Sequence, residues 1–235
     1  MSGIVGSQPP HSASVTAEQG AAFSAAVIHW FKRSGRKFPW RRRRGNLYRL
    51  LLAEILLKKT AARAVPKIYD EILDKYPTAH QMATAEIGDL WPLLQPVGLK
   101  RQRALQLRKM GERLSKAGQI GEWTDADLLK VPGVGPYTSA AVQAVKWGRP
   151  KVGVDTNVVR VISRVFGTVG SRSEERKSPE FRIVADVLGQ SAGRRSAFLN
   201  WGLIDLGALV CLPHRPLCEE CPVQTVCSFF EERAE

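Results

Sequence analysis

The residues of this chain best suited to chemistry are four cysteines near its C-terminus. They are Cys211, Cys218, Cys221 and Cys227, separated by six, two and five residues, in a chain of 235 residues. Four thiolates hold either structural zinc or an iron–sulfur cluster. Zinc often uses two C-x-x-C pairs and one is present here, but the residue types alone leave both metals open. The grouping predicts a metal centre rather than a set of disulfides.

Two carboxylates stand where an acid could take part in catalysis. Asp155 precedes a helical pattern, so it is either an N-cap or a carboxylate available for catalysis. Glu54 lies inside the apolar run 50–57, where it must pair with a cation, face a cleft or take up a proton. On spacing alone, the cap and a structural ion pair are the simpler interpretations.

A glycine-rich turn separates two helical patterns in the segment LLKVPGVGPYTSAA, residues 128–141. Gly133 and Gly135 permit positive φ and let backbone N–H groups approach a ligand closely. The second helix begins at this turn, and its dipole favours an anion there. The segment therefore favours a clamp for a DNA phosphate, with an ordinary tight turn as the alternative.

Composition points to a polyanionic partner. The formal net charge is +13 and the isoelectric point is about 10.0. This charge favours nucleic-acid binding over a solubility role, and its spread along the chain disfavours a basic membrane helix. No apolar run has membrane-spanning length and no signal-peptide pattern opens the chain, so we expect a cytoplasmic protein that does not contact membranes.

Apolar residues recur with helical spacing through most of the chain, which predicts an all-α fold. The segment 151–154 is too short to build a sheet, and residues 1–20 are predicted to be a flexible tail. The predicted helices cover residues 21–33, 47–57, 64–75, 82–94, 101–117, 125–130, 137–147, 156–165, 179–188 and 197–210.

The hairpin string, followed by VDTNVVRV at residues 154–161, resembles the helix-hairpin-helix DNA glycosylases of the endonuclease III and MutY superfamily. The resemblance runs from about residue 23 to the C-terminus. It implies two helical lobes that flank a DNA-binding cleft: a six-helix domain over 45–150, and a second domain made of 21–44 and 151–235. It also implies that the cysteines hold a [4Fe–4S] cluster, because their spacing is that of the family's cluster loop.

The same resemblance assigns three catalytic residues. Asp155 matches the family's essential aspartate, and Glu54 matches a glutamate that lines the base pocket of the mismatch enzymes. Tyr137 stands where bifunctional members carry a lysine nucleophile. Its amine is absent here, which predicts a monofunctional enzyme; a plain packing role for Tyr137 is the alternative.

DNA contacts are predicted at the hairpin, after the apolar helix and in a possible wedge loop. The loop GLKRQR at residues 98–103 resembles the family's DNA wedge, with Gln102 as the inserted residue, although it also fits a solvated helix start. We expect Asn157 to help orient Asp155. The predicted DNA-binding set is Gly133, Val134, Gly135, Thr138, Lys58, Lys59, Gln102 and Asn157.

The predicted substrate rests on two differences between this chain and the adenine-specific members of the family. Those enzymes commonly carry two glutamines where Lys58 and Lys59 stand, and usually an extra C-terminal domain, whereas this chain ends eight residues after Cys227. The best prediction is a monomer that excises T or U opposite G from double-stranded DNA. The alternatives are an adenine glycosylase acting on A·G or A·8-oxoG, a bifunctional glycosylase/lyase, and a non-catalytic DNA-binding module.

Overall fold

The computed structural model describes residues 15–42, 45–117, 121–167 and 178–234, and within these ranges it contains helices and no β-strand. The predicted all-α fold is confirmed. The α-helices are α1 (Ala17–Ser34), α2 (Leu47–Leu57), α3 (Val65–Lys75), α4 (Ala79–Ala83), α5 (Ile87–Leu94), α6 (Lys100–Lys116), α7 (Asp125–Leu129), α8 (Pro136–Trp147), α9 (Thr156–Phe166), α10 (Pro179–Ala192), α11 (Ser196–Leu209) and α12 (Ser228–Ala234).

Side-chain caps fix where several helices begin. Thr16 accepts a hydrogen bond from the backbone N–H of Gln19, whose side chain accepts in turn from the N–H of Thr16. Asn46 caps α2 in the simpler way, by accepting from the N–H of Tyr48 at 2.9 Å. Each cap satisfies a donor that a helix start leaves unpaired. The caps therefore mark the first residues of α1 and α2.

The structure corrects two predicted helices and adds one. Helix α1 begins at Ala17, so residues 17–20 of the predicted tail are helical; residues 1–14 lie outside the described part. The single helix predicted over 82–94 is two helices, because Glu86 has an extended backbone with ψ 130° between α4 and α5. Helix α12 was not predicted at all.

Two hydrophobic clusters organise the chain. The first is built mainly from α2 to α6 and α8, and the second mainly from α1 and α9 to α11. Ala197 and Trp201 of α11 belong to the first cluster although they lie in the second part of the chain. The domain bounds 45–150 and 21–44 plus 151–235 stay a prediction, which these clusters support. None of the helices in the described ranges combines the length and apolarity needed to span a bilayer.

Candidate active site and cysteine-lined cavity

The predicted hairpin is a turn between α7 and α8. Gly133 has φ 91°, a conformation that favours glycine, and Gly135 precedes the first turn of α8. The side chain of Gln106 on α6 lies so close to Gly133 that an added Cβ would come within 3.1 Å of it. Val134 is buried at the tip of the turn. Contacts of Gln106 and the burial of Val134 thus fix the turn, while its two glycines stay partly exposed.

A cavity of about 460 Å³ opens beside the hairpin, and all three predicted catalytic side chains line it. Glu54 reaches it from α2, Tyr137 from the first turn of α8, and Asp155 from the start of α9. Thr138 also lines it but is buried in its wall. Residues more than 100 positions apart therefore meet in one half-buried space, which is the arrangement a shared catalytic role requires.

The acids in this cavity influence each other. Burial, and next the charge of Asp155, raise the pKa of Glu54 to about 7, while the charges of Lys58 and Arg41 oppose the rise. Burial and the charge of Glu54 also raise the pKa of Tyr137 above its usual value. Near neutral pH, Glu54 is therefore a mixture of carboxylic acid and carboxylate, whereas Tyr137 keeps its phenolic proton.

Asp155 is held through both carboxylate oxygens. Its Oδ1 accepts from the backbone N–H of Val158 at 2.8 Å, and its Oδ2 accepts from the side-chain amide of Asn157 at 3.1 Å. The N-cap interpretation and the catalytic one are thus compatible, because the same hydrogen bonds that cap α9 hold the carboxylate at the cavity. Asn157 touches Asp155 as predicted.

A chain of hydrogen bonds leads from Asn157 to the cysteine loop. Arg160 donates from Nη2 to Oδ1 of Asn157 at 2.9 Å and to the carbonyl of Gly207 at 2.6 Å. Its Nε donates to the carbonyl of Cys211 at 2.8 Å. The planar guanidinium therefore ties the residue that orients Asp155 to the first of the four cysteines.

One wall of the cavity, residues 36–41, was missed by the sequence analysis. The fully buried carboxylate of Asp205 accepts from the guanidinium groups of Arg36 and Arg41, at 2.6 to 2.8 Å. Burial alone would raise the pKa of Asp205, but hydrogen bonds from Arg41 and Arg36 hold it below its usual value. Phe38 and Trp40 stack at 4.7 Å between ring centroids and line the cavity with both arginines. The partners lie 164 and 169 residues apart, so no local pattern indicated the pairing.

The predicted DNA contacts after α2 are divided between two environments. Lys58 lines the cavity and donates from Nζ to the carbonyl of Gly133, so it also holds the hairpin. Lys59 is exposed at the cavity wall and has φ 50°. Gln102 is exposed on the first turn of α6. The sequence analysis passed over Leu99, which has φ 52° and is 51% exposed.

The four cysteines line a second, apolar cavity between α9, α11 and the C-terminal loop. Nη1 of Arg164 lies 3.4 Å from Sγ of Cys211, and His214 is exposed and does not line this cavity. In the described residues, no three His, Cys, Asp or Glu side chains are close enough to hold a single metal ion. A tetrahedral zinc with bonds of about 2.3 Å would need such closeness. Four thiols at one cavity are the donor set that a structural zinc ion or an iron–sulfur cluster uses.

Comparison with known families agrees with this geometry. The family model described as "HhH-GPD superfamily base excision DNA repair protein" matches residues 52–183, more than half of the chain. The matched range includes Glu54, the hairpin, Tyr137 and Asp155. The chain belongs to the HhH-GPD superfamily. The resemblance stated from the hairpin and the segment after it is confirmed.

Relatives of this HhH-GPD protein include mismatch and adenine enzymes. It is 34% identical to the thymine/uracil-DNA glycosylase of Pyrobaculum aerophilum, over 90% of this chain and 93% of that one. It is 31% identical to the human adenine DNA glycosylase, over 88% of this chain but 39% of that one. A solved thermostable thymine-DNA glycosylase superimposes with a TM-score of 0.80 at 31% identity, covering 93% of this chain and all of that one.

Proposed function

We propose that this HhH-GPD protein is a monofunctional DNA N-glycosylase that extrudes thymine or uracil from a pair with guanine and hydrolyses its glycosidic bond. The observation that carries the proposal is the convergence of Glu54, Tyr137 and Asp155 on one cavity beside the hairpin. Similarity to thymine/uracil-DNA glycosylases over about nine tenths of the chain supports this choice of base. A cavity of about 460 Å³ is large enough for an extruded base.

Asp155 acts at the sugar in this mechanism. Positive charge builds on the sugar as the bond to the base breaks, and a fixed carboxylate stabilises it without reorganising. Each oxygen of Asp155 already accepts one hydrogen bond, so the carboxylate is held in place. Asp155 therefore supports C1′, or activates the water that attacks there.

Glu54 acts at the base. A carboxyl group with a pKa of about 7 can hold a proton near neutral pH. As an acid it hydrogen-bonds or protonates the departing base. Tyr137 keeps its proton and carries no amine, so it cannot form the covalent imine through which a lysine cleaves the strand.

DNA would bind to the hairpin and to the positively charged surface. The backbone N–H groups at Gly133 and Gly135 would bind a phosphate at the start of α8, and the exposed side chains of Lys59 and Gln102 would add donors to the DNA. A duplex with a mismatch is thus the proposed partner. We further propose that the protein acts as a monomer and that its chromosomal substrate places it in the cytoplasm, associated with the nucleoid.

Cys211, Cys218, Cys221 and Cys227 would hold a [4Fe–4S] cluster. All four side chains line one apolar cavity, and their spacing resembles that of the family's cluster loop, which favours a cluster over a zinc ion. When bound, the cluster would cross-link residues 211–227 into one rigid loop. Arg160 would connect this loop to Asn157 and thereby to Asp155.

An adenine glycosylase is the second candidate, because adenine DNA glycosylases also match this chain at up to 31% identity. The two lysines after α2 argue against it, since adenine-specific members commonly carry glutamines there. The bifunctional glycosylase/lyase is disfavoured by Tyr137, and a non-catalytic module by the acids in the cavity.

The deciding experiment uses duplexes that contain G·T, G·U, A·G, A·8-oxoG and hypoxanthine. Each is incubated with the full chain, and abasic sites are revealed by alkali. We expect alkali-dependent breaks at T and U opposite G, no break without alkali, and no adduct after borohydride. Release of adenine alone supports the second candidate, a borohydride adduct supports the lyase, and no product on any duplex overturns the enzymatic proposal.

A further inference from the structure

Two exposed residues hold a backbone conformation that their side chains disfavour. Among the described residues, Lys59 and Leu99 are the two non-glycines with positive φ, at 50° and 52°. Leu99 is 51% exposed and Lys59 is exposed at the cavity wall. Neither side chain is buried in the core, so packing does not explain the strained backbone. Strain of this kind persists where the surrounding structure enforces it and where function uses it.

A single buried guanidinium lies behind the loop that carries Leu99. Arg103 is 1% exposed and projects from the first turns of α6. Its Nη1 donates to the carbonyl of Gly98 at 2.7 Å and also to the carbonyl of Val97. These two carbonyls belong to the two residues that precede Leu99, so the buried guanidinium fixes the backbone conformation just before Leu99.

The same guanidinium also holds the turn that carries Lys59. Nη2 of Arg103 donates to Oγ1 of Thr60 at 2.6 Å and to the carbonyl of Lys58. Lys58 and Thr60 are the neighbours of Lys59 on either side. Oγ1 of Thr60 further lies 3.3 Å from the carbonyl of Val97 and donates to it, which joins the two loops directly.

We propose that Arg103 is a positioning residue that holds Lys59 and Leu99 as a pair of probes for the space left by the extruded base. Leu99 offers an apolar side chain that can enter a base stack, and Lys59 offers a cation to the partner base or its phosphate. The planar fork of Arg103 sets both at once, because each amino group serves one loop. The inference rests on the proposed function and adds Leu99 to the predicted wedge loop, in which Gln102 stays a predicted DNA contact.

A double-mutant cycle on a G·U duplex tests this role. Arg103→Met and Leu99→Gly are compared alone and together in single-turnover base release; glycine removes the probe and accepts positive φ. We expect each to slow release about 10-fold, and the pair to be no slower than the worse single variant, because Arg103 acts through the probe. A loss near 100-fold in the pair, the product of two independent effects, overturns the proposal.

A fluorescent base beside the target separates positioning from general stability. We expect Arg103→Met to delay the unstacking signal, and Arg103→Lys to recover part of it, since an ammonium can satisfy some of the same acceptors. Arg101→Met is the matched control: it removes the same charge from the exposed face of the same turn, and its effect should multiply with that of Leu99→Gly. An unchanged unstacking signal in Arg103→Met contradicts the inference.

If Arg103→Met does not fold, Thr60→Val replaces it in the double-mutant cycle. It removes one acceptor of the guanidinium, and its effect should likewise not add to that of Leu99→Gly. The outcomes distinguish two failures. A wild-type protein that releases no base from any duplex defeats the proposed function, whereas normal base release with multiplying losses defeats the role of Arg103 alone.

Discussion

Glu54 and Asp155 face one cavity from α2 and from the start of α9, and the charge of Asp155 helps to raise the pKa of Glu54. Asp155 is oriented by two hydrogen bonds, while Glu54 can hold a proton near neutral pH. Two carboxyl groups in different surroundings of one cavity can therefore take different roles in catalysis.

Base release should fall as pH rises through about 7, where Glu54 loses its proton. Glu54→Gln should slow release at lower pH and flatten this part of the profile, since the amide does not titrate. The folded pKa of about 7 lies above the ordinary 4.5, so the stability that Glu54 gives is full below about 4.5 and is lost as pH rises through 7. Melting temperatures across this range check the sign; a wild-type profile retained in Glu54→Gln contradicts the assignment.

Asp155→Asn should lower single-turnover base release by about 10³-fold or more, because the anion at C1′ is lost. Asparagine is as good an N-cap as aspartate, so the fold and the affinity for DNA should change little. Gel-shift titration with the same duplex measures the affinity. Turnover retained in this variant would remove Asp155 from the mechanism.

Asn157→Ala should reduce base release by about 10-fold while leaving DNA affinity close to that of the wild type, because the carboxylate of Asp155 loses one of its two fixed bonds. Asn157→Asp provides a contrast, since it places a like charge beside Asp155 and opposes its ionisation. Rates at saturating enzyme report the effect. Equal rates for wild type and Asn157→Ala would show that Val158 alone suffices to orient the acid.

Tyr137→Lys should create strand cleavage that the wild type lacks. The new amine would enter the cavity lined by Glu54 and Asp155, where it can attack the sugar and form an imine. Trapping by borohydride, resolved on a denaturing gel, detects the adduct. Tyr137→Phe is the control without an amine. If Tyr137→Lys releases base but leaves no adduct, position 137 does not reach C1′.

Removal of iron from the cysteine loop, or Cys211→Ser, should weaken DNA binding and also slow base release by more than the binding loss explains. The reason is the path from the carbonyl of Cys211 through Arg160 to Asn157. Iron content and visible absorbance report loading, and single-turnover rates at saturating enzyme report catalysis. Zinc in place of iron in the purified protein would contradict the cluster proposal.

Local signals were sufficient for much of this architecture. The apolar run of α2, the glycines of the hairpin and the cap of α9 each lie within a few residues of the structure they specify, and the sequence places all three correctly. Even the start of α1 carried a signal, because Thr16 and Gln19 have the spacing of a reciprocal cap.

Long-range pairings account for what was missed. Asp205 finds Arg36 and Arg41 more than 160 residues away, and Arg103 finds Lys58 across 45. Nothing in the neighbourhood of these charges marks them as partners rather than solvated side chains. The helical pattern also persists through residues 84–86, although the extended backbone of Glu86 separates α4 from α5.

The ion pairs of Asp205 determine how the cavity can distinguish one base from another. Withdrawing residues 36–41 would leave a carboxylate in the interior without its cations, which is strongly unfavourable. The cavity wall that carries Phe38 and Trp40 is therefore rigid and does not move aside for a larger base. Bases are then discriminated by steric exclusion at this wall, and a wider substrate range would require weaker ion pairs between Asp205 and the two arginines.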